Sequence, residues 1–357
     1  MRIRTPNALA ALTLGLMLAL PAQAAPAYTV TILPGPGGER TWAWGINDSG
    51  HVVGSLETDG GDRAFLYQNG TMTDLGTIPG PSGEEAFSIA YGINNIGQVV
   101  GSSSAMPGNP RAFLYQNGTM TNLGTIPGGE NGLSVAYGIN NIGQVVGGSS
   151  TAHNANLSSF LYQNGAMNLV SGTAPQSVEV AIDINDFGQV VMPGGIYQDG
   201  VRINSIVDGI GLGLNDIGQA VGYGSVSGYD SYRAMFFSQD GTSMDLGFYG
   251  FAREINNSGQ VVGLAGIDGI GQRGFIYQRG SMTDLTSLID PVLGMTIIDA
   301  TDINASGQIA AIGDYGGNHF VALLLTPVPE PETYALMLAG LGLLGFVARR
   351  RKQKAVA

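Results

Sequence analysis

The chain contains no cysteine, which excludes disulfides, thiolate metal sites and cysteine nucleophiles. Histidine is nearly as scarce: His51, His153 and His319 are the only three in 357 residues, and no His-x-x-x-His pair exists. That removes the commonest zinc arrangement on a helix. Basic charge is missing from most of the chain. Between residues 25 and 332 there is no lysine, and eight arginines face all 27 acids, a balance of −19 against −12 for the whole chain. A body this acidic is repelled by nucleic acid and anionic lipid, so no nucleic-acid partner is expected. The Gly-x-Ser-x-Gly nucleophile elbow is also absent. Gly-x-Gly-x-x-Gly does occur at residues 269–274, but it precedes a strand and opens no helix, so a pyrophosphate would find no helix N-terminus there. The acids of residues 57–62 lack the ligand series of a calcium loop. No metal, cofactor or catalytic residue is assigned, and the chain is not expected to be an enzyme.

Glycine is abundant instead. There are 57, without a collagen-like period, and such a content implies many turns and many short strands. The segment "YGINNIGQVVG" stands at residues 91–101 and again, letter for letter, at 137–147. Its reduced form, Ile/Leu-Asn-x-x-Gly-Gln/His, recurs at Asn47, Asn94, Asn140, Asn185, Asn215, Asn256 and Asn304, with gaps between the matching glycines of 47, 46, 45, 30, 41 and 48 residues. Seven copies at this period indicate a repeat architecture. In each copy one strand enters the Asn-x-x-Gly turn and a second leaves it. Asparagine opening the turn and glycine closing it in a left-handed conformation explain why both recur. A third strand follows, as in "RAFLYQ", and then a two-residue hairpin at Asn69-Gly70, Asn117-Gly118, Asn164-Gly165, Asp199-Gly200, Asp240-Gly241 or Arg279-Gly280. Both faces of the third strand are apolar, as expected of a sheet packed between two others.

These features predict an all-β fold, a β-propeller of seven four-stranded blades over residues 25–327. The seventh copy ends after its third strand, and "YTVTIL" at residues 28–33 resembles the fourth strands of the other copies. The N-terminal strand is therefore expected to complete the last blade and close the ring, which an open solenoid has no reason to do.

Both ends of the chain read as addresses. Residues 1–24 carry Arg2 and Arg4, an apolar stretch from 8 to 20, and Ala22-Gln23-Ala24, the layout of a cleaved signal peptide. At the other end, Val328-Pro329-Glu330-Pro331 precedes an apolar run at 334–348 and then Arg349, Arg350 and Arg351. The run has 15 residues, against the ~20 of an ordinary spanning helix, and the basic cluster should stay cytoplasmic. Residues 328–357 resemble the PEP-CTERM sorting signal of Gram-negative bacteria. The resemblance implies an exosortase-type processing enzyme as partner, transient anchoring in the inner membrane through the apolar helix, and release or re-anchoring at the cell surface. Proteins of that family are associated with exopolysaccharide and biofilm matrix. The repeats themselves resemble the HAF-type extracellular repeat, with Arg-Ala-Phe at 63–65 and 111–113 and Arg-Gly-Phe at 273–275; that resemblance implies an extracellular protein and no particular activity.

Loops on the face opposite the tight turns vary most, so ligand contacts are expected there. Trp42 and Trp44, the only tryptophans, and the loop acids Glu84, Glu85 and Glu130 are the candidates. The resulting expectation is an exported binding or structural module, with extracellular polysaccharide as its ligand. The alternative is a secreted hydrolase or lyase in which two of the loop carboxylates converge.

Overall fold

The computed structural model describes residues 27–35, 39–78, 86–104, 109–152, 155–170, 180–226, 228, 231–267, 269–316 and 319–329. The leader expected at 1–24 and the sorting segment, apart from Val328 and Pro329, lie outside them. Among the described residues the chain is all-β. It forms six antiparallel sheets, five of four strands and one of seven, and its only helical turns are Leu285–Leu288 and Pro291–Leu293. No helix among the described residues is long and apolar enough to cross a membrane; the helix expected at 334–348 falls outside them.

The second repeat shows how sequence becomes structure. Its strands are Phe87–Ile93, Val99–Ser104, Arg111–Gln116 and Thr119–Gly124, paired in chain order. Gly97 closes the turn with φ +82° and donates its N–H to Asn94 O at 3.0 Å. Gly101 must be glycine for another reason: a Cβ there would collide with the carbonyl of Ile89 and lie 2.8 Å from the ring of Phe113, which is fully buried. Phe65, Phe160 and Phe275 occupy the same place beneath Gly54, Gly147 and Gly263. Each hairpin residue Asn69, Asn117, Asn164, Asp199 and Arg279 is left-handed like the glycine after it, whereas at Asp240-Gly241 only the glycine is.

Seven repeats give six sheets because one strand serves two repeats. Ser243–Ile255 pairs at its start with Arg233–Phe237 and at its end with Val261–Ile267. It runs on where the other repeats break into a loop, bending at Gly247 (φ +96°) and Gly250 (φ +146°).

Tyr28–Leu33 pairs antiparallel with Phe320–Pro327 over six residues, from Tyr28 opposite Pro327 to Leu33 opposite Ala322. The N-terminal strand thus stands fourth in the sheet of the seventh repeat, as its sequence indicates. Hydroxyl clasps show that this seam is built like the other joints. Ser88 Oγ accepts from Ala64 N in the third strand of the preceding repeat and donates to Gly76 O after its fourth. Ser134 does the same with Ala112 N and Gly124 O. Thr41 Oγ1 accepts from Ala322 N and donates to Leu33 O, both at 2.8 Å. Leu33 therefore stands where a fourth strand stands elsewhere.

Candidate functional site

The site begins with the repeat asparagines, which are buried. Within each repeat Oδ1 accepts the N–H four residues on, at 2.9–3.1 Å. In six repeats Nδ2 donates to the Oε1 of the glutamine there; in the first, it meets His51 Nδ1 at 3.4 Å. The second Nδ2 hydrogen leaves the repeat. Asn47 donates to Asn94 O, Asn94 to Asn140 O, and so on through Asn304, which donates back to Asn47 O, all at 2.9–3.3 Å. Seven links make a closed circuit. One residue further on, a second belt of backbone N–H to side-chain Oδ1 bonds joins Asp48, Asn95, Asn141, Asp186, Asp216 and Asn257, with Ala305 donating to Asp48. That belt is open between Asn257 and Ala305, because alanine offers no acceptor.

These belts surround the mouth of a cavity of about 370 Å³, within the size range of small-molecule sites. Its wall comes from the first strands and the tight turns after them. The described residues of the variable loops, where ligand contacts are expected from the sequence, supply none of it. A β-bulge recurs in six first strands just before the asparagine, between Ala90 and Gly92 for instance. The extra residue lets two consecutive side chains reach the cavity, since a bulge re-aims what it carries. The first of the two is Trp44, Tyr91 or Tyr137 in repeats one to three. These half-buried rings form an arc, with centroids 6.3 Å apart for Trp44–Tyr91 and 5.3 Å for Tyr91–Tyr137. Trp44 Nε1 is buried with no hydrogen-bond partner.

The second position is glycine in four repeats, where neighbouring first strands approach closely: a Cβ on Gly92 would lie 2.8 Å from Tyr137 O. In the other three it is Asp183, Glu254 or Asp302. Asp302 accepts from Ile303 N and, across to the first repeat, from Ile46 N, both at 2.7 Å. Asp183 accepts from Leu214 N of the next repeat at 2.9 Å, and Glu254 from Ile255 N at 2.9 Å. Leu214 N–H also faces Glu254, so two carboxyls converge on one donor. Burial pushes Asp183 up to about 6 and Asp302 up to about 7, against the pull of those N–H groups. Burial and then the charges of Asp183 and Asp302 hold Glu254 well above the carboxylate range. Arg253, beside them in the wall, is gripped by Asp299 through Nε–Oδ1 at 2.8 Å and Nη2–Oδ2 at 2.6 Å.

Of the residues singled out from sequence, Trp44 lines the cavity. Trp42 stands opposite Ser55 away from it, Glu130 is exposed on a loop, and Glu84 and Glu85 lie outside the described residues. Val328 and Pro329 are exposed at the end of the last strand; Glu330, Pro331, Arg349, Arg350 and Arg351 lie outside. The three carboxyls were missed, although aligning the seven copies two residues before the asparagine would have exposed a column of four glycines and three acids. No group of acids and histidines among the described residues is arranged to hold a metal ion.

The PEP-CTERM protein-sorting motif matches residues 327–352. It is the kind of signal an exosortase processes, and it implies export and surface sorting. No curated protein matches the chain. Among solved structures, a structural-genomics protein of unknown function from Bacteroides thetaiotaomicron is 12% identical with TM-score 0.41, covering 84% of this chain and 76% of that one. A putative oxidoreductase (glucose dehydrogenase) from Thermus thermophilus is 11% identical with TM-score 0.35, covering 84% of this chain and 99% of that one.

Proposed function

We propose that this exported protein is a seven-bladed β-propeller of HAF-type repeats that binds extracellular polysaccharide through its central cavity. The closed asparagine circuit supports the propeller: seven copies linked in order, the last to the first, have to surround an axis. The observation that carries the binding reading is the cavity wall, with three aromatic rings on one side and carboxyls on the rest. Aromatic faces stack on the apolar faces of sugar rings, and carboxyls accept from hydroxyls. Of the acids named for the hydrolase alternative, Glu130 is exposed and outside the cavity, and so lends that alternative no support. A glycan array probed with the full chain and with Trp44→Leu tests the reading. Signal on matrix-type polysaccharides that falls at least about fivefold in the variant is expected, the loss of one stacking face being worth on the order of 1–3 kcal/mol. Undiminished signal from Trp44→Leu would move binding away from the cavity.

A further inference from the structure

The cavity is built unevenly around its axis. Following the asparagine circuit, Trp44, Tyr91 and Tyr137 belong to three successive repeats, while Asp183, Glu254 and Asp302 belong to the fourth, sixth and seventh. One side therefore offers the negative faces of aromatic rings, and the remainder offers carboxyls. Asp48 and Asp186 stand exposed at the mouth, with Asp216 half-buried beside them. The single basic side chain in the wall, Arg253, has its charge offset by the two-pronged bond to Asp299. The ionisable side chains of the wall thus favour positive charge. The carboxyls are not grouped to chelate a metal ion, and a cavity of about 370 Å³ is far larger than one. Aromatic faces attract organic cations by their ring quadrupoles.

We infer that the cavity selects a ligand carrying an ammonium group, held between the Trp44–Tyr91–Tyr137 arc and the carboxyls of Asp183, Glu254 and Asp302. The inference rests on the binding reading above, and the two meet in an amino sugar, which carries ammonium and hydroxyls together.

A pH signature follows from the groups facing the ligand. Asp183 and Asp302 hold their protons to about 6 and about 7, and Glu254 higher still. Tyr91 and Tyr137, raised by burial, stay neutral; the other ionisable groups around the cavity are the mouth aspartates and the Arg253–Asp299 pair. A permanent cation gains its counter-charge only as the wall carboxyls ionise, so its affinity rises with pH.

The test is a titration of the full chain, followed by tryptophan fluorescence and calorimetry, with three probes. These are a β-linked glucosamine oligosaccharide, its N-acetylated counterpart, and tetramethylammonium, whose charge does not titrate. The glucosamine oligomer should bind at least about tenfold tighter than the acetylated one at about pH 7, where Asp183 is ionised and Asp302 partly so, a difference of about 1.4 kcal/mol. Tetramethylammonium should bind more tightly at about pH 8 than at about pH 5, with a net release of protons. Tyr137→Leu should weaken both cations. Asp302→Asn should flatten the pH dependence of tetramethylammonium binding, and the wild-type profile serves if that variant does not fold. Equal or preferential binding of the acetylated oligomer overturns the ammonium site and leaves the polysaccharide reading standing. Tetramethylammonium binding with neither saccharide bound upholds the ammonium site and sinks the polysaccharide reading. No binding of any probe overturns both.

Discussion

Each repeat asparagine satisfies its whole side chain, and three of those bonds explain why the residue returns. Two lie within the repeat, one to the backbone N–H four residues on and one to the side chain there; the sequence marked the turn that brings them together. The third was not legible there, since its acceptor is the carbonyl of another asparagine 30–48 residues away, or 257 at the seam. Asn140→Ala removes a buried donor pair and leaves Asn185 O without that partner. It should cost about 2–4 kcal/mol in chemical denaturation, given net values near 1 kcal/mol per bond and more for an orphaned buried acceptor. Asn141→Ala, in the outer belt, should cost under about 1 kcal/mol. Equal losses would show that the circuit does not bear on stability. The wall carboxyls make a second prediction at this scale. Their pKa values are raised on folding, so the folded state holds protons that the unfolded state has released. Stability is therefore highest near pH 4, falls as pH rises to about 7 for Asp302, and then levels. The loss is about 1.4 kcal/mol per pH unit for each proton retained. Asp302→Asn should be the less stable protein at pH 5, having lost an acceptor for Ile46 N or Ile303 N, yet should show a flatter pH dependence. Thermal melts across that range measure both, and an unchanged slope would remove Asp302 from the account.

At the scale of elements, the glycine-rich pattern marked turns and strands well. Gly97 and Gly70 were readable as turn residues from their neighbours in sequence. Gly101 was not, because the carbonyl of Ile89 and the ring of Phe113 that exclude a side chain come from two other strands. The merging of two repeats along Ser243–Ile255 was equally hidden: nothing in "SMDLGFYGFAREI" forbids a break, and pairing on both sides decides it. The closing strand was legible, since a missing fourth strand at one end matched a spare strand at the other. Removing residues 28–33 exposes the edge of Phe320–Pro327, five of whose eight residues are buried, and takes away Leu33, which is 1% exposed in the core. Burial of one large apolar side chain contributes roughly 1.5–3 kcal/mol, against a total near 5–15 kcal/mol. The truncated protein should aggregate or melt far below one shortened by six residues between 79 and 85, with light scattering and calorimetry as readouts. Equal melting of the two would mean that the strand is dispensable.

At the scale of the whole molecule, sequence could rank the loops by variability but could not locate the cavity. Its wall is assembled from seven separate first strands, six of them bulged, and no single copy contains an arc of aromatics or a set of carboxyls. Trp44 was found because tryptophan is rare; Asp183, Glu254 and Asp302 were passed over because each looks, within its own repeat, like one more solvated acid. Closure is what turns seven unremarkable positions into one wall, and it separates a ring from an open array. An open array frays from its terminal repeats, whereas a closed one has no terminal repeat to lose. Native-state hydrogen exchange, read by mass spectrometry on the full chain, distinguishes them. Peptides spanning Tyr28–Leu33 and Phe320–Pro327 should exchange with the same opening free energy as Val145–Ser149 in the third repeat. Exchange that is fastest in those two strands and slows in steps toward the middle repeats would contradict the ring.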